Sequence, residues 1–284
     1  MKLREQLYCG QVEDLICYVP DNSIDLIVTS PPYAGKREDV YTVAQYDEYV
    51  KWLYALSKQF MRVLKPSGSF VLNIKDGVRD GHKETYVMEY VLKMAKDGWH
   101  RDTYVWNKTN PYPCGGKRHL KDGFEYCFHF AKQNDYCFYP EHCLVPANPK
   151  WLKDNLRRSN KGAHNVTNKS GLNMKARTCN AMVRPSNVIT LPVNTTNTKH
   201  PATFPVGLPT FFIKLMSKPG DLVLDPFMGS GTTAVACVLE KRDYLGFDDK
   251  PEYIEMAQQR LMHEETERTA TIAEMVGGTG GLFA

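Results

Sequence analysis

Residues 222–233, LVLDPFMGSGTT, decide the fold of this 284-residue chain. A short apolar run ends at Asp225, a turn that contains Gly229 and Gly231 follows, and a helical pattern begins at Thr232. A strand, a glycine turn and a helix N-terminus together form a cofactor cradle at the carboxyl end of a sheet. No lysine follows the second glycine, so the turn lacks the phosphate-loop pattern, and only the first G-x-G of a dinucleotide fingerprint is present. The stretch therefore favours a nucleoside-type cofactor that lacks a phosphate.

An acidic residue at the end of the next strand supports this interpretation. Residues 244–247 are predicted as a strand, and Asp248 follows them, where a carboxylate can accept both hydroxyls of a ribose. Asp76, which ends another predicted strand, is either a wall of the same site or a helix-capping acid. The predicted cofactor contacts in these segments are Asp225, Pro226, Phe227, Gly229, Ser230, Gly231, Thr232 and Asp248.

Alternating strand and helix patterns extend over most of the chain. Short apolar runs bounded by turn residues predict strands, and apolar residues spaced three and four apart predict helices. Their alternation is typical of an α/β fold with a doubly wound, mostly parallel, Rossmann-like sheet. We predict strands at 23–29, 69–74, 102–106, 124–130, 221–225 and 244–247, a turn at 65–68, and helices at 46–64, 83–96, 208–216, 232–241 and 251–263.

The pattern fades between residues 140 and 198. Residues 150–200 contain ten Lys and Arg but one acid, Asp154, in a chain whose net charge is only +4. Such a basic block attracts polyanions. We therefore predict a target-recognition region at 140–198, inserted between the two halves of the α/β domain, 1–139 and 199–263, with a loose tail at 264–284.

The cysteine pattern and the lack of long apolar runs bear on whether the protein binds a metal and where in the cell it is found. The eight cysteines form no C-x-x-C pair and are spread over the whole chain, which argues against a zinc site and against a disulfide framework. The first residues lack the apolar run of a signal peptide, and no stretch approaches the length of a membrane span. We expect a cytoplasmic protein with no metal and no membrane partner.

The motif Thr29-Ser30-Pro31-Pro32-Tyr33 carries a family resemblance. It resembles the catalytic motif of DNA methyltransferases that modify exocyclic base amines, and residues 225–231 resemble their S-adenosylmethionine motif. Residues 200–205 resemble the segment that closes over the cofactor, which implies contacts from Thr203 and Phe204. The order of these segments is similar to that of the permuted β group. Gln11 stands where this family usually has an aspartate that contacts the cofactor adenine.

The resemblance implies a mechanism in which Ser30, Pro31, Pro32 and Tyr33 are catalytic. A base amine is a poor nucleophile because its lone pair is delocalised into the ring. The Ser30 hydroxyl and the Pro31 carbonyl can accept its two hydrogens, and the prolines stiffen the loop. Tyr33 offers a flat face for a base flipped out of the duplex.

The serine of this motif is similar to that of enzymes that methylate N4 of cytosine. The adenine enzymes usually have aspartate at the position of Ser30, so N6 of adenine is the second hypothesis. A non-catalytic nucleic-acid-binding protein on this fold, and methylation of RNA or of a protein amide, are further alternatives. The resemblance implies duplex DNA as partner, a homodimer, and a cognate restriction endonuclease. The predicted DNA contacts are Arg157, Arg158, Lys161, Lys175, Arg177 and Arg184.

Overall fold

In the part of the chain that the structure describes, the largest sheet has eight strands. The computed structural model describes residues 1–34, 46–112, 119–150, 152–153, 181–193 and 204–277. The strand order is β1-β12-β11-β2-β3-β7-β6-β10. The elements are β1 (Gln6–Cys9), α1 (Val12–Leu15), β2 (Ile24–Thr29), α2 (Tyr46–Val63), β3 (Leu64–Ile74), β4 (Val78–Arg79), β5 (His82–Lys83), α3 (Tyr86–Lys96), β6 (His100–Lys108), β7 (Phe124–Ala131), β8 (Val145–Pro146), β9 (Met182–Val183), β10 (Val188–Leu191), α4 (Gly207–Met216), β11 (Leu222–Asp225), α5 (Thr232–Leu239), β12 (Asp243–Asp248) and α6 (Pro251–Gly277).

The sheet is parallel except at β7. Strands β1, β12, β11, β2 and β3 pair in parallel, and β10 pairs in parallel with β6. Strand β7 runs antiparallel to both of its neighbours, β3 and β6. The first residues of β7 therefore lie at the edge where the parallel strands end. The predicted α/β class with a mostly parallel, Rossmann-like sheet is confirmed.

Apolar side chains of the strands and helices pack in separate clusters. In the largest, Phe70 of β3 lies with Tyr49 and Leu53 of α2 and with Tyr90 of α3, and all four are fully buried. In another, side chains of α5 pack against Leu261 of α6. The apolar stripes that predict these helices are thus the faces that the protein buries.

Residues 65–68, predicted as a turn, lie within β3 as an irregularity of the ladder. Ile24 of β2 is opposite Leu64 and Leu26 is opposite Ser69, so four residues of β3 face one residue of β2. Proline cannot donate a ladder hydrogen bond, and such residues are accommodated at bulges. The turn pattern of Lys65-Pro66-Ser67-Gly68 therefore marks a bulge that interrupts the pairing without ending the strand.

Several boundaries differ from the sequence-based prediction. Helix α3 begins at Tyr86 and not at Lys83, which lies in the short strand β5. Strand β10 joins the main sheet, although the sequence assigns residues 188–191 to the recognition region; four residues are too few to give a periodic signal. Helix α6 continues to Gly277 and does not stop at His263, so the tail predicted from residue 264 begins as helix. Residues 264–276 contain no glycine or proline and are rich in helix-forming residues, which explains the extension.

The chain divides into two compact units. The first comprises residues 1–139 and 187–284, and the second comprises residues 140–186. In the second unit β8 and β9 form an antiparallel pair, in which Val145 is opposite Val183. Within the part of the chain that the structure describes, no helix is both long and apolar enough to cross a membrane.

The glycine turn after β11 requires glycine at position 231. Gly231 has φ +77°, and a Cβ there would lie 2.6 Å from the Cβ of Ala257 in α6. We expect Gly231→Ala to lower the free energy of unfolding by about 3–5 kcal/mol, because left-handed strain and overpacking add. Gly98→Ala is the matched control, since Gly98 has φ +74° but a Cβ there would meet no described atom within 4 Å. It should lose only about 1–2 kcal/mol. Equal losses in urea denaturation would contradict the predicted clash with Ala257.

Candidate active site

The carboxylate of Asp225 is the anchor of the site. It lies at the carboxyl end of β11 with 3% of its surface exposed. The Thr29 hydroxyl donates to its Oδ1 at 2.6 Å, the Thr233 hydroxyl donates to its Oδ2 at 2.6 Å, and the backbone N–H of Phe227 donates at 3.1 Å. Burial nevertheless raises the pKa of Asp225 to about 6. One carboxylate thus joins the end of β2, the glycine turn and the start of α5.

Asp248 lies at the end of the adjacent strand, β12, and is also buried, with 7% exposed. The backbone N–H of Gly229 donates to Oδ2 at 2.9 Å, and that of Lys250 donates to Oδ1 at 3.1 Å. Burial raises the pKa of Asp248 to about 6. An ionised carboxylate has about four acceptor positions, so each oxygen retains one for a ligand hydroxyl.

The glycine turn is held from outside by Arg260 of α6. Its guanidinium donates to the Ser230 carbonyl at 2.7 Å, to the Ser230 hydroxyl at 3.0 Å and to the Thr232 hydroxyl at 3.2 Å. These contacts fix the backbone between the two carboxylates. The three hydrogen bonds tie the glycine turn to α6.

The predicted catalytic motif follows β2 at the same edge. The Ser30 hydroxyl donates to the Tyr33 hydroxyl at 3.3 Å, and the Tyr33 hydroxyl donates to Glu125 Oε2 at 2.8 Å. The ammonium of Lys108 donates to the other oxygen of Glu125 at 2.6 Å. Burial raises the pKa of Tyr33 well above its usual value, with a further contribution from the charge of Glu125. Tyr33 is therefore a neutral phenol with a defined hydrogen-bond partner.

Aromatic residues extend this edge toward β1. The rings of Phe227 and Trp52 have centroids 5.8 Å apart, and the Trp52 indole donates to the Glu13 carboxylate at 2.6 Å. The Gln11 amide donates to Asp249 Oδ2 at 3.4 Å. Gln11, which stands where the family usually has an aspartate, is thus hydrogen-bonded to the residue that follows β12.

Asp76 lies just beyond β3, the strand that neighbours β2 on the side away from β11. Its Oδ1 is buried and finds no hydrogen-bond partner among the described residues. Burial raises the pKa of Asp76. It is not a helix-capping acid, because α3 begins ten residues later, at Tyr86.

The structure brings most of the predicted site residues to one sheet edge. Ser30, Pro31, Pro32 and Tyr33 follow β2, and the segment from Asp225 to Thr232, Asp248 and Gln11 follows the neighbouring strands. Phe204 is half-buried shortly before α4, and Arg184 is exposed in the second unit after β9. The remaining predicted residues lie outside the described part of the chain: Thr203, Arg157, Arg158, Lys161, Lys175 and Arg177.

The sequence-based prediction gives no role to Thr233, Lys108 or Glu125, and it names Thr29 only as the first residue of the Ser30 motif. Thr29 and Thr233 satisfy Asp225, and Lys108 and Glu125 support Tyr33. A glutamate placed between the aromatic residues Phe124 and Tyr126 is the signal that could have indicated Glu125.

The N6/N4 DNA methylase family model matches residues 24–259, which include both the Ser30 motif and the glycine turn. The chain belongs to this family. It is a DNA methyltransferase, and its cofactor is S-adenosylmethionine.

Individual relatives align with most of this DNA methyltransferase. The type II methyltransferase M.PvuII of Proteus hauseri is 29% identical over 280 residues, covering 90% of this chain and 83% of that protein. M.Cfr9I of Citrobacter freundii is 29% identical over 295 residues, covering 92% and 88%. The solved PvuII DNA methyltransferase, described as cytosine-N4-specific, superposes with a TM-score of 0.69 at 25% identity, covering 90% and 86%. A Thermus thermophilus protein solved in complex with S-adenosyl-L-methionine has the same fold, with a TM-score of 0.62 at 24% identity, covering 92% of this chain and 94% of that one.

The two buried carboxylates make the stability of this methyltransferase depend on pH. A carboxyl group whose pKa is raised in the folded state keeps its proton longer there than in the unfolded chain. Stability is therefore lost as pH rises from about 4 to about 6. Relative to Asp225→Asn, the wild type should lose about 2 kcal/mol of unfolding free energy between about pH 4.5 and about pH 7.5, because the Asp225 pKa is 3.8 in the unfolded chain and about 6 in the folded protein. Urea denaturation of both proteins at about pH 4.5 and pH 7.5 measures this. An unchanged difference would show that Asp225 titrates normally.

Proposed function

We propose that this chain transfers a methyl group from S-adenosylmethionine to the exocyclic N4 amine of cytosine at a specific site in duplex DNA. One observation carries the proposal: the hydroxyl of Ser30, hydrogen-bonded to Tyr33, lies at the same sheet edge as the Asp225 and Asp248 carboxylates. The likeness to the PvuII enzyme, described as cytosine-N4-specific, supports the choice of base.

The catalytic task is to make the amine nucleophilic. In this proposal the Ser30 oxygen and the Pro31 carbonyl each accept one amine hydrogen, which holds both hydrogens out of the ring plane and localises the lone pair on nitrogen. Orientation of this kind can supply roughly 7–11 kcal/mol in favourable cases. Pro31 and Pro32 stiffen the segment, and Pro31 is buried, which supports a fixed geometry.

Tyr33 is proposed to stack on the target base after that base has left the duplex. Stacking of a base on an aromatic side chain contributes about 1–3 kcal/mol. The hydrogen bond from the Tyr33 hydroxyl to Glu125 holds the ring in one orientation. The base must be flipped out to reach these groups, because its amine is inaccessible inside the double helix.

The cofactor is proposed to lie between the two carboxylates. S-adenosylmethionine, when bound, supplies an electrophilic methyl group. The Asp248 oxygens retain acceptor capacity for the ribose hydroxyls, and Phe227 offers an apolar wall beside Trp52. Gln11, Thr203 and Phe204 complete the set of proposed cofactor contacts.

The recognition of DNA is assigned to the basic region, 140–198. Lysine and arginine contact phosphates, and arginine can also read guanine in the major groove. Arg184 is exposed, as such a contact requires. A cognate restriction endonuclease, a homodimer and a cytoplasmic location remain predictions from the family resemblance and the composition.

The first test identifies the modified nucleoside. Purified protein is incubated with labelled S-adenosylmethionine and mixed-sequence duplex DNA, and the DNA is then digested to nucleosides. We expect the label in N4-methylcytosine. Label in N6-methyladenine would replace the cytosine assignment by the adenine one, and label only in RNA or protein would overturn the DNA substrate.

The second test removes the Ser30 hydroxyl. Ser30→Ala should lower kcat by about a hundredfold, as loss of one positioned hydrogen-bonding group does elsewhere. The Kd of the cofactor should not change, because Ser30 belongs to the base-binding part of the proposed site. Ser23→Ala is the control, since Ser23 precedes the opposite end of β2 and donates to the Pro20 carbonyl. A Ser30→Ala enzyme with the kcat of wild type would remove Ser30 from the mechanism.

A further inference from the structure

We propose that the ion pair of Glu125 and Lys108 sets the direction of the hydrogen bonds that run from Ser30 through Tyr33, and so presents the Ser30 oxygen to the substrate amine as an acceptor. This inference rests on the proposed transfer to an exocyclic amine. It assigns Glu125 and Lys108 as positioning residues, which act through Tyr33 and Ser30.

The four side chains form one chain of hydrogen bonds. The contacts measure 3.3 Å from Ser30 to Tyr33, 2.8 Å from Tyr33 to Glu125 and 2.6 Å from Lys108 to Glu125. Ser30 and Tyr33 follow β2, whereas Glu125 begins β7 and Lys108 ends β6. The antiparallel direction of β7 brings Glu125 to the edge at which the other strands end.

The charge of the pair determines which atom donates. An ammonium group can only donate hydrogen bonds, and an ionised carboxylate can only accept them. The single hydrogen of the Tyr33 hydroxyl must therefore go to Glu125, and the Tyr33 oxygen is left to accept from Ser30. Ser30 then directs its own hydrogen at Tyr33 and keeps its lone pairs free. Those lone pairs are what an amine hydrogen requires.

Burial makes this control effective. The Lys108 and Glu125 side chains are each only 9% exposed, so water does not compete strongly for either partner. A buried carboxylate without a counter-charge takes up a proton more readily, and a protonated Glu125 could donate to Tyr33. The direction of the hydrogen bonds would then no longer be fixed. The Lys108 ammonium, in contact with the other oxygen of Glu125, supplies that counter-charge.

Other titratable groups around Glu125 do not supply the same charge. Tyr33 faces it from the segment after β2, Tyr86 from α3, and Cys127 from β7 itself. Burial raises the pKa of all three groups, so they stay neutral over the range in which an enzyme assay is run. Among the described residues that act on Glu125, Lys108 is the cation in direct contact.

The test combines three variants with a pH profile of kcat on duplex DNA. Tyr33→Phe keeps the aromatic face but removes the hydroxyl, and we expect kcat to fall about tenfold to a hundredfold while the KM for DNA stays within about twofold. Lys108→Met should show a similar loss near neutral pH. As pH rises and Glu125 ionises, the kcat of Lys108→Met should recover, whereas the Tyr33→Phe profile stays low.

The double variant Tyr33→Phe/Lys108→Met separates positioning from a structural role. If Lys108 acts through the Tyr33 hydroxyl, the double variant has the kcat of Tyr33→Phe and loses the pH-dependent recovery.

Lys65→Met is the control. Lys65 pairs with Asp25 at 2.6 Å near the other end of β2, so its removal should leave the pH profile of kcat unchanged. If Lys108→Met does not fold, Lys108→Met/Glu125→Gln replaces the buried pair by a neutral one, which proteins often tolerate. A glutamine can either accept from the Tyr33 hydroxyl or donate to it, so that variant should have a kcat below that of the wild type and show no pH-dependent recovery.

The outcomes separate this inference from the proposed function. A wild-type protein that methylates no exocyclic amine overturns both. Wild-type N4-methylation combined with full kcat in Tyr33→Phe overturns only the role of the ion pair. The same holds if Lys108→Met folds and has a flat pH profile, or if the recovery persists in the double variant. N6-methyladenine as product overturns the choice of base and leaves the hydrogen-bond direction in place.

Discussion

The buried carboxylate of Asp225 is the constraint on which the rest of the site depends. A carboxylate removed from water costs several kcal/mol unless its oxygens are satisfied. Here the donors come from three separate segments: Thr29 at the end of β2, the Phe227 N–H in the glycine turn and Thr233 in α5. The strand that leads into the proposed catalytic motif is therefore fixed relative to the proposed cofactor turn by one group. Any shift of β2 along β11 would remove the Thr29 donor from the buried Oδ1 and leave it only the Phe227 N–H, which favours a single register of the two strands.

The direction of β7 is the second constraint. A parallel strand at this position would place its first residues at the opposite edge of the sheet, away from Tyr33. Because β7 runs against β3 and β6, Glu125 lies next to the end of β6, where Lys108 can reach it. A strand that departs from the parallel pattern thus contributes an ion pair at the edge where the parallel strands end. Because β7 is antiparallel to β3, Tyr126 lies opposite Ile74, so an aromatic residue is also found at the edge where the parallel strands end.

Local signals explain what the sequence predicts correctly. The glycine turn, the apolar stripes of the helices and the Ser-Pro-Pro-Tyr motif are each short continuous patterns. They identify the fold class and locate the residues that follow β2 and β11. The pair of Lys108 and Glu125 depends on strand direction and register, which neighbouring residues do not encode. Strand β10 is too short to give a period, and the proline and glycine of residues 65–68 indicate a turn when the strand continues past a bulge. The predicted DNA contacts other than Arg184 lie outside the described residues and stay predictions.

A serine at position 30 creates a problem that an aspartate would not have. An ionised aspartate has no hydrogen to misdirect, so either oxygen can accept from an amine without further help. A serine hydroxyl both donates and accepts, and it presents a hydrogen to the amine unless another acceptor takes that hydrogen. Tyr33 can be that acceptor only if its own hydrogen is committed elsewhere, which Glu125 ensures while it is ionised. In the proposed mechanism the neutral residue at the reaction centre therefore depends on a charge that lies two side chains away, at Glu125, and on the Lys108 ammonium in contact with it.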